Sequence, residues 1–164
     1  MSLVAITLAA LSADDLSADV ARHVATAGEG CGAVTTFAGL VRAHHQGRRV
    51  LYLEYEAYEP LALKVFAQIQ SEAAASWPGV TMGLHHRVGR LEIGEASIVI
   101  AAASAHRAPS FEVCRYAIER VKQIAPIWKH EFFDDGAAWV EGAVADPSDP
   151  VARQQAKARA CASA

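Results

Sequence analysis

One stretch, Ser104 to Glu131, is rich in side chains able to hold an anion or carry a proton, and five of them draw attention: His106, Arg107, Arg115, Lys122 and Lys129. The Ser-Ala-His-Arg-Ala-Pro segment leads from a strand into a helix, where free backbone N–H groups favour an anion. Arg107 beside such a start can grip phosphate with two parallel donors, and His106 adds a donor or proton carrier. Pro109 opens a helix over residues 109–125, and Pro126 ends it. Phe111, Cys114, Ile118, Val121 and Ala125 recur along it at helical spacing and predict a core-facing stripe. Arg115, Glu119 and Lys122 then share the opposite face. Spacing alone favours a solvated face laced by ion pairs; the flanking His-Arg is what favours a ligand.

Lys129 sits in Ile127-Trp128-Lys129-His130-Glu131. Strand alternation places it with Ile127 and Glu131, while Trp128, His130 and Phe132 point the other way. On an interior strand such a lysine is partly stripped of water and usable as an acid or base; on an edge strand it is a guard against aggregation. Arg42 ends a strand that carries Phe37 and Gly39, and a glycine inside a strand marks a bulge or a close approach. Taken alone, Arg42, Arg48 and Arg49 read as a solvated loop.

The elements that must carry these groups alternate between strand and helix. Residues 3–9 read as a strand and 12–26 as a helix, with Asp14 and Asp15 favourable near its start. Gly28, Gly30 and Gly32 punctuate a turn before a β-branched strand over 33–41. A polar loop leads to a strictly alternating strand, with Leu51, Leu53, Tyr55 and Ala57 on one face and Tyr52, Glu54, Glu56 and Tyr58 on the other. A helix runs from Pro60 to about Ser76, stopped by Trp77-Pro78-Gly79. Strands over 80–91 and 96–104 follow, and a hairpin over 127–133 and 138–141 closes at Asp134-Asp135-Gly136. The pattern predicts one α+β domain over 1–145, with packed helices and a largely antiparallel sheet. Residues 146–164 read as a mobile tail or a short helix that orders on contact.

Composition fits that picture. The 164 residues are 52% hydrophobic and 20% charged, enough for a real core. A net charge of -3 and a pI near 6.1 argue against general binding to nucleic acid or an acidic membrane, yet leave room for a local cationic pocket and a small anion. No run reaches membrane-spanning length. The apolar N-terminus lacks a preceding Lys or Arg and reads as a first strand rather than a signal peptide. Cys31, Cys114 and Cys161 match no disulfide or metal spacing. Cys31 and Cys114 read as small buried hydrophobes, and a reducing compartment, the cytoplasm, is the expected home. His44-His45 and His85-His86 are neighbours on strands and so face opposite ways, which makes neither a chelate; no metal site is expected. No P-loop, G-x-G-x-x-G or G-x-S-x-G occurs.

Five segments in order, Thr36–Arg42 (TFAGLVR), Leu53–Tyr58 (LEYEAY), His86–Gly89 (HRVG), Ser104–Arg107 (SAHR) and Lys122 with Ala125–Lys129 (APIWK), resemble the large, catalytic subunit of molybdopterin synthase. The resemblance covers about residues 30–141. It implies an α/β-hammerhead-like fold and a homodimer inside a heterotetramer. It also implies a separate small ubiquitin-like subunit whose Gly-Gly terminus carries a thiocarboxylate. The substrate would be cyclic pyranopterin monophosphate, which gains two sulfurs to become molybdopterin with no metal or organic cofactor. By the same resemblance, Lys122 sits against the thiocarboxylate and Lys129 handles protons or developing charge. Arg42, His106 and Arg107 hold the phosphate and pterin, some of them across a dimer interface, and Phe37 shapes the pocket wall. Arg115 rests only on its helical face, and His44 on its place in the loop after Arg42. A non-catalytic phosphate- or nucleotide-binding module is the alternative.

Overall fold

The computed structural model describes residues 2–26, 30–140, 142–143 and 145–162, with the side chains of 25 and 26 excepted. In chain order the elements are β1 (Val4–Thr7), α1 (Ala13–Thr26), β2 (Ala33–Leu40), β3 (His44–His45), β4 (Arg48–Ala57), α2 (Glu59–Ser76), β5 (Thr81–Arg87), β6 (Gly89–Glu92), β7 (Ala96–Ser104), α3 (Arg107–Ile124), β8 (Ile127–Phe133), β9 (Gly136–Val140) and α4 (Pro150–Cys161). The α+β class holds, but the strands divide between two sheets. One has the order β1-β5-β7-β2; the other runs β3-β4-β8-β9, with β6 also beside β4. Only the β1–β5 pair is parallel among these ladders.

β7 is the centre of the first sheet because it is apolar on both faces. Ile98, Ile100 and Ala102 pack with Phe66, Ile69, Val113 and Tyr116 of α2 and α3. Val99, Ala101 and Ala103 meet Leu16, Val20 and Val24 of α1 on the other side. Each large apolar side chain fully buried in this way contributes about 1.5–3 kcal/mol. Val41, Val50, Leu53, Leu91 and Phe133 form a separate core on the second sheet.

Five local readings change. The single strand expected over 80–91 breaks at Val88, sending β5 into one sheet and β6 into the other. Gly89 makes that corner at φ +82, where an L side chain is strained. The loop after Arg42 is a β3–β4 hairpin, turned by Gln46 and Gly47 with φ of 49 and 79. A register shift between Val50 and Tyr52 breaks the alternation of β4, burying Val50 and leaving Leu51 exposed. Phe111 leaves the predicted apolar stripe and is 61% exposed, while Val113, Ala117 and Ile124 join Cys114 and Val121 in facing the core. Cys31 is exposed rather than buried; Cys114 is buried, and burial pushes its thiol up to about 11. Gly28 and Glu141 lie outside the described residues.

Within the C-terminal segment, Asp149 caps α4 by accepting from the Val151 N–H at 2.8 Å. Ala152, Ala156 and Ala160 are buried, and Gln123 donates to the Ala152 carbonyl at 3.0 Å. Of the two readings of this segment, a mobile tail or a short helix that orders on contact, residues 150–161, packed against α3, take up the helix. The chain leading to it is held by a buried polar network. Arg120, fully buried, donates to both oxygens of Glu72 at 2.8 and 2.9 Å, and Tyr116 adds a bond of 2.7 Å. Gln68 and Arg120 also donate to the Pro147 carbonyl, at 2.8 and 3.2 Å.

Candidate functional site

Lys122 lies in the last turn of α3 and Lys129 is the third residue of β8; only a short corner at Ala125-Pro126 separates the two elements. Proline cannot extend the helix, so the chain reverses there and starts a strand at once. Both lysines line one cavity of about 650 Å³, together with Phe37, Arg42, His44, His45, Tyr55, His86 and Glu131. Its walls come from both sheets. Gly39 shapes one of them: a Cβ there would lie 2.8 Å from Ile98 Cγ2, so a larger residue would have to displace a buried side chain. The register shift between Gly39 and Leu40 is the bulge that glycine predicted, and Arg42 follows just beyond it.

Glu131 anchors the cavity floor at 2% exposure. Its Oε1 lies 2.5 Å from Lys129 Nζ, and its Oε2 lies 2.6 Å from His45 Nδ1. Burial raises the Glu131 carboxyl, but hydrogen bonds from Lys129 and His45 outweigh it and hold the group below the usual carboxylate range. Lys129 therefore faces a buried counter-charge, the Glu131 that strand alternation placed on its side. That pairing fixes the direction of the ammonium.

His86 is 5% exposed on β5. Its Nδ1 lies 2.8 Å from the Arg87 carbonyl, which can only accept, so Nδ1 carries the hydrogen. Burial holds the imidazole down to about 4, outweighing that bond, so the ring is neutral near pH 7. Tyr55 meets the ring edge-on with centroids 5.1 Å apart.

Phe37, Arg42, Lys122 and Lys129 thus come together. His106, Arg107 and Arg115 do not. All three are exposed and none lines the cavity. His106 and Arg107 begin α3 at the opposite end of β2, where Gly32 N–H bonds the Ser104 carbonyl at 3.0 Å and Thr35 meets Ser110 at 2.8 Å. The cavity lies at the Leu40 end of the same strand, roughly 23 Å away at a rise near 3.3 Å per residue. β2 is the last strand of its sheet, and Val34, Phe37 and Leu40 on it are exposed at 41%, 37% and 56%.

Glu131, His45, His86 and Tyr55 were not singled out as site residues by sequence reasoning. Glu131 could have been found, since it shares a strand face with Lys129 two residues away. His45 could not be found without recognising the β3–β4 hairpin. His44 does line the cavity. Among the described residues no cluster of three or more metal-ligating side chains occurs, and no helix is long and apolar enough to cross a membrane.

The family model described as "MoaE protein" matches residues 11–124. A protein of Bacillus subtilis (strain 168) named "Molybdopterin synthase catalytic subunit" is 51% identical over 109 residues, covering 66% of this chain and 69% of that protein. A protein of Nostoc sp. with the same name is 43% identical over 138 residues, covering 83% and 80% of the two chains. Among solved structures, molybdopterin synthase from Staphylococcus aureus superposes with a TM-score of 0.79 at 37% identity, covering 86% of this chain and 98% of that one.

Proposed function

This chain belongs to the MoaE protein family, and from that membership we propose that it is the catalytic subunit of a molybdopterin synthase. It would convert cyclic pyranopterin monophosphate to molybdopterin, using two sulfurs delivered as the C-terminal thiocarboxylate of a small ubiquitin-like subunit. The single observation that carries this reading is the convergence of Lys122, Lys129 and Arg42 on one cavity. An anionic pterin phosphate and an anionic thiocarboxylate both need cations there, and the chain itself is acidic overall.

Lys122, at the exposed mouth, is placed to neutralise the incoming thiocarboxylate. Lys129, aimed by Glu131, is placed to move a proton or stabilise charge as sulfur adds. Because sulfur arrives on the partner, no cysteine of this chain need be activated, and the raised thiol of Cys114 fits that.

The missing phosphate grip points to a homodimer. If the exposed edge of β2 pairs antiparallel with a second copy about a two-fold axis, the Ala33 end of one strand meets the Leu40 end of the other. The copy's His106 and Arg107 then arrive beside Arg42 at the cavity mouth. Two such subunits with two small partners make a heterotetramer, and the cytoplasm is the compartment in which they would assemble.

Reconstitution tests the reading. This protein, cyclic pyranopterin monophosphate and a thiocarboxylated Gly-Gly partner are mixed, and dithiolene is detected as its oxidised fluorescent derivative. Product that depends on this chain, and falls about 100-fold or more in Lys122→Ala and Lys129→Ala, is expected. Binding of both components without product would leave a phosphate-binding module instead.

A further inference from the structure

The cavity described above is rich in hydrogen-bond donors and poor in acceptors. Arg42, Lys122 and Lys129 only donate. Both oxygens of Glu131 are engaged, one by Lys129 and one by His45. The Ser97 hydroxyl gives its hydrogen to the Gly39 carbonyl at 3.1 Å. His44, His45 and Tyr55 also line the cavity and can accept, but His86 is the buried one among these rings.

Its Nδ1–H is spent on the Arg87 carbonyl, which leaves Nε2 with a lone pair and no hydrogen. Nε2 has no hydrogen-bond partner among the described residues. The strand neighbours of His86 in register are Ile6 of β1 and Ile98 of β7, neither of which can supply one. The ring is buried and braced by Tyr55, so it is a fixed acceptor rather than a mobile one. Nε2 opens onto the cavity, where the N–H of a ligand can take the place of water as its donor.

We propose that His86 selects the orientation of the bound pterin, its Nε2 accepting a hydrogen bond from a ring N–H while the phosphate turns to the cations. This rests on the synthase reading for the identity of the ligand. A heterocycle carrying donors on one edge and an anion on another can satisfy such a pocket in only one direction. A pterin analogue without the facing N–H would be rejected, because a site built to pair a donor discriminates strongly against its absence.

Binding of cyclic pyranopterin monophosphate is measured by calorimetry for the wild type, His86→Phe and His86→Gln, with inorganic phosphate as a second probe. Phe keeps a ring against Tyr55 but removes the acceptor; Gln returns an acceptor near the Nε2 position. The expected result is pterin affinity weaker by about 10-fold in His86→Phe, most of it regained in His86→Gln, with phosphate affinity unchanged. Equal pterin affinity in wild type and a folded His86→Phe overturns the assignment, as does a parallel loss for inorganic phosphate. If His86→Phe fails to fold, His86→Gln against His86→Asn gives the same comparison, since the shorter Asn turns its NH2 to the Arg87 carbonyl and brings no acceptor to the Nε2 position. Turnover is read separately: a wild type that binds the pterin without making product defeats the synthase reading but not the role of His86.

Discussion

Glu131 shows how a single buried carboxylate can organise a cationic site. Each of its oxygens takes one partner, so removing its charge loosens Lys129 and His45 together. Glu131→Gln is expected to lower turnover at least about 10-fold while leaving pterin affinity near wild type, a split that single-turnover kinetics can resolve. His86 carries a prediction of a different kind. Its folded pKa of about 4 lies below the ordinary 6.5, so the unfolded chain binds the extra proton first as pH falls. Stability is complete above about pH 6.5 and declines toward pH 4, by up to about 3 kcal/mol from this group. Denaturant titrations at several pH values should show that slope in the wild type and a flatter one in His86→Phe. An identical pH dependence in both would mean that some other group titrates.

Among the elements, α3 does two jobs: one end carries Lys122, and its buried side clamps the chain that leads to α4. Arg120 and Glu72 are both inside, and burial alone would raise the Glu72 carboxyl; bonds from Arg120, Gln68 and Tyr116 hold it lower instead. Arg120→Leu strands that carboxylate and is expected to cost about 3–5 kcal/mol, read from chemical denaturation. Most elements were legible because their signals are local: Pro126 stopping α3, helical spacing in α1 and α2, and Asp134-Asp135-Gly136 turning the last hairpin. The errors arose where a partner strand decides. Nothing within residues 80–91 says that the chain changes sheets at Val88, and the shift that exposes Leu51 exists only against Phe133 and Phe132 of β8. In the site, Lys122 and Lys129 were legible through family resemblance and their shared corner. The His45–Glu131 contact spans 86 positions and left no local trace.

At the scale of the whole molecule the open edge of β2 dominates. An unprotected edge with exposed Val34, Phe37 and Leu40 is a template for another strand. If that edge pairs with a second copy as proposed, Val34→Glu should shift the protein from dimer toward monomer in sedimentation experiments and reduce turnover with it, although Val34 does not line the cavity. A two-fold β2 pairing would also leave a signature in genetics. With Lys122 acting in its own subunit's cavity and Arg107 in its neighbour's, Lys122→Ala and Arg107→Ala chains are each inactive alone. In a mixed dimer one cavity receives both lesions and the other receives none. Co-expressed at equal levels, two dead alleles would therefore complement each other, restoring about a quarter of wild-type activity.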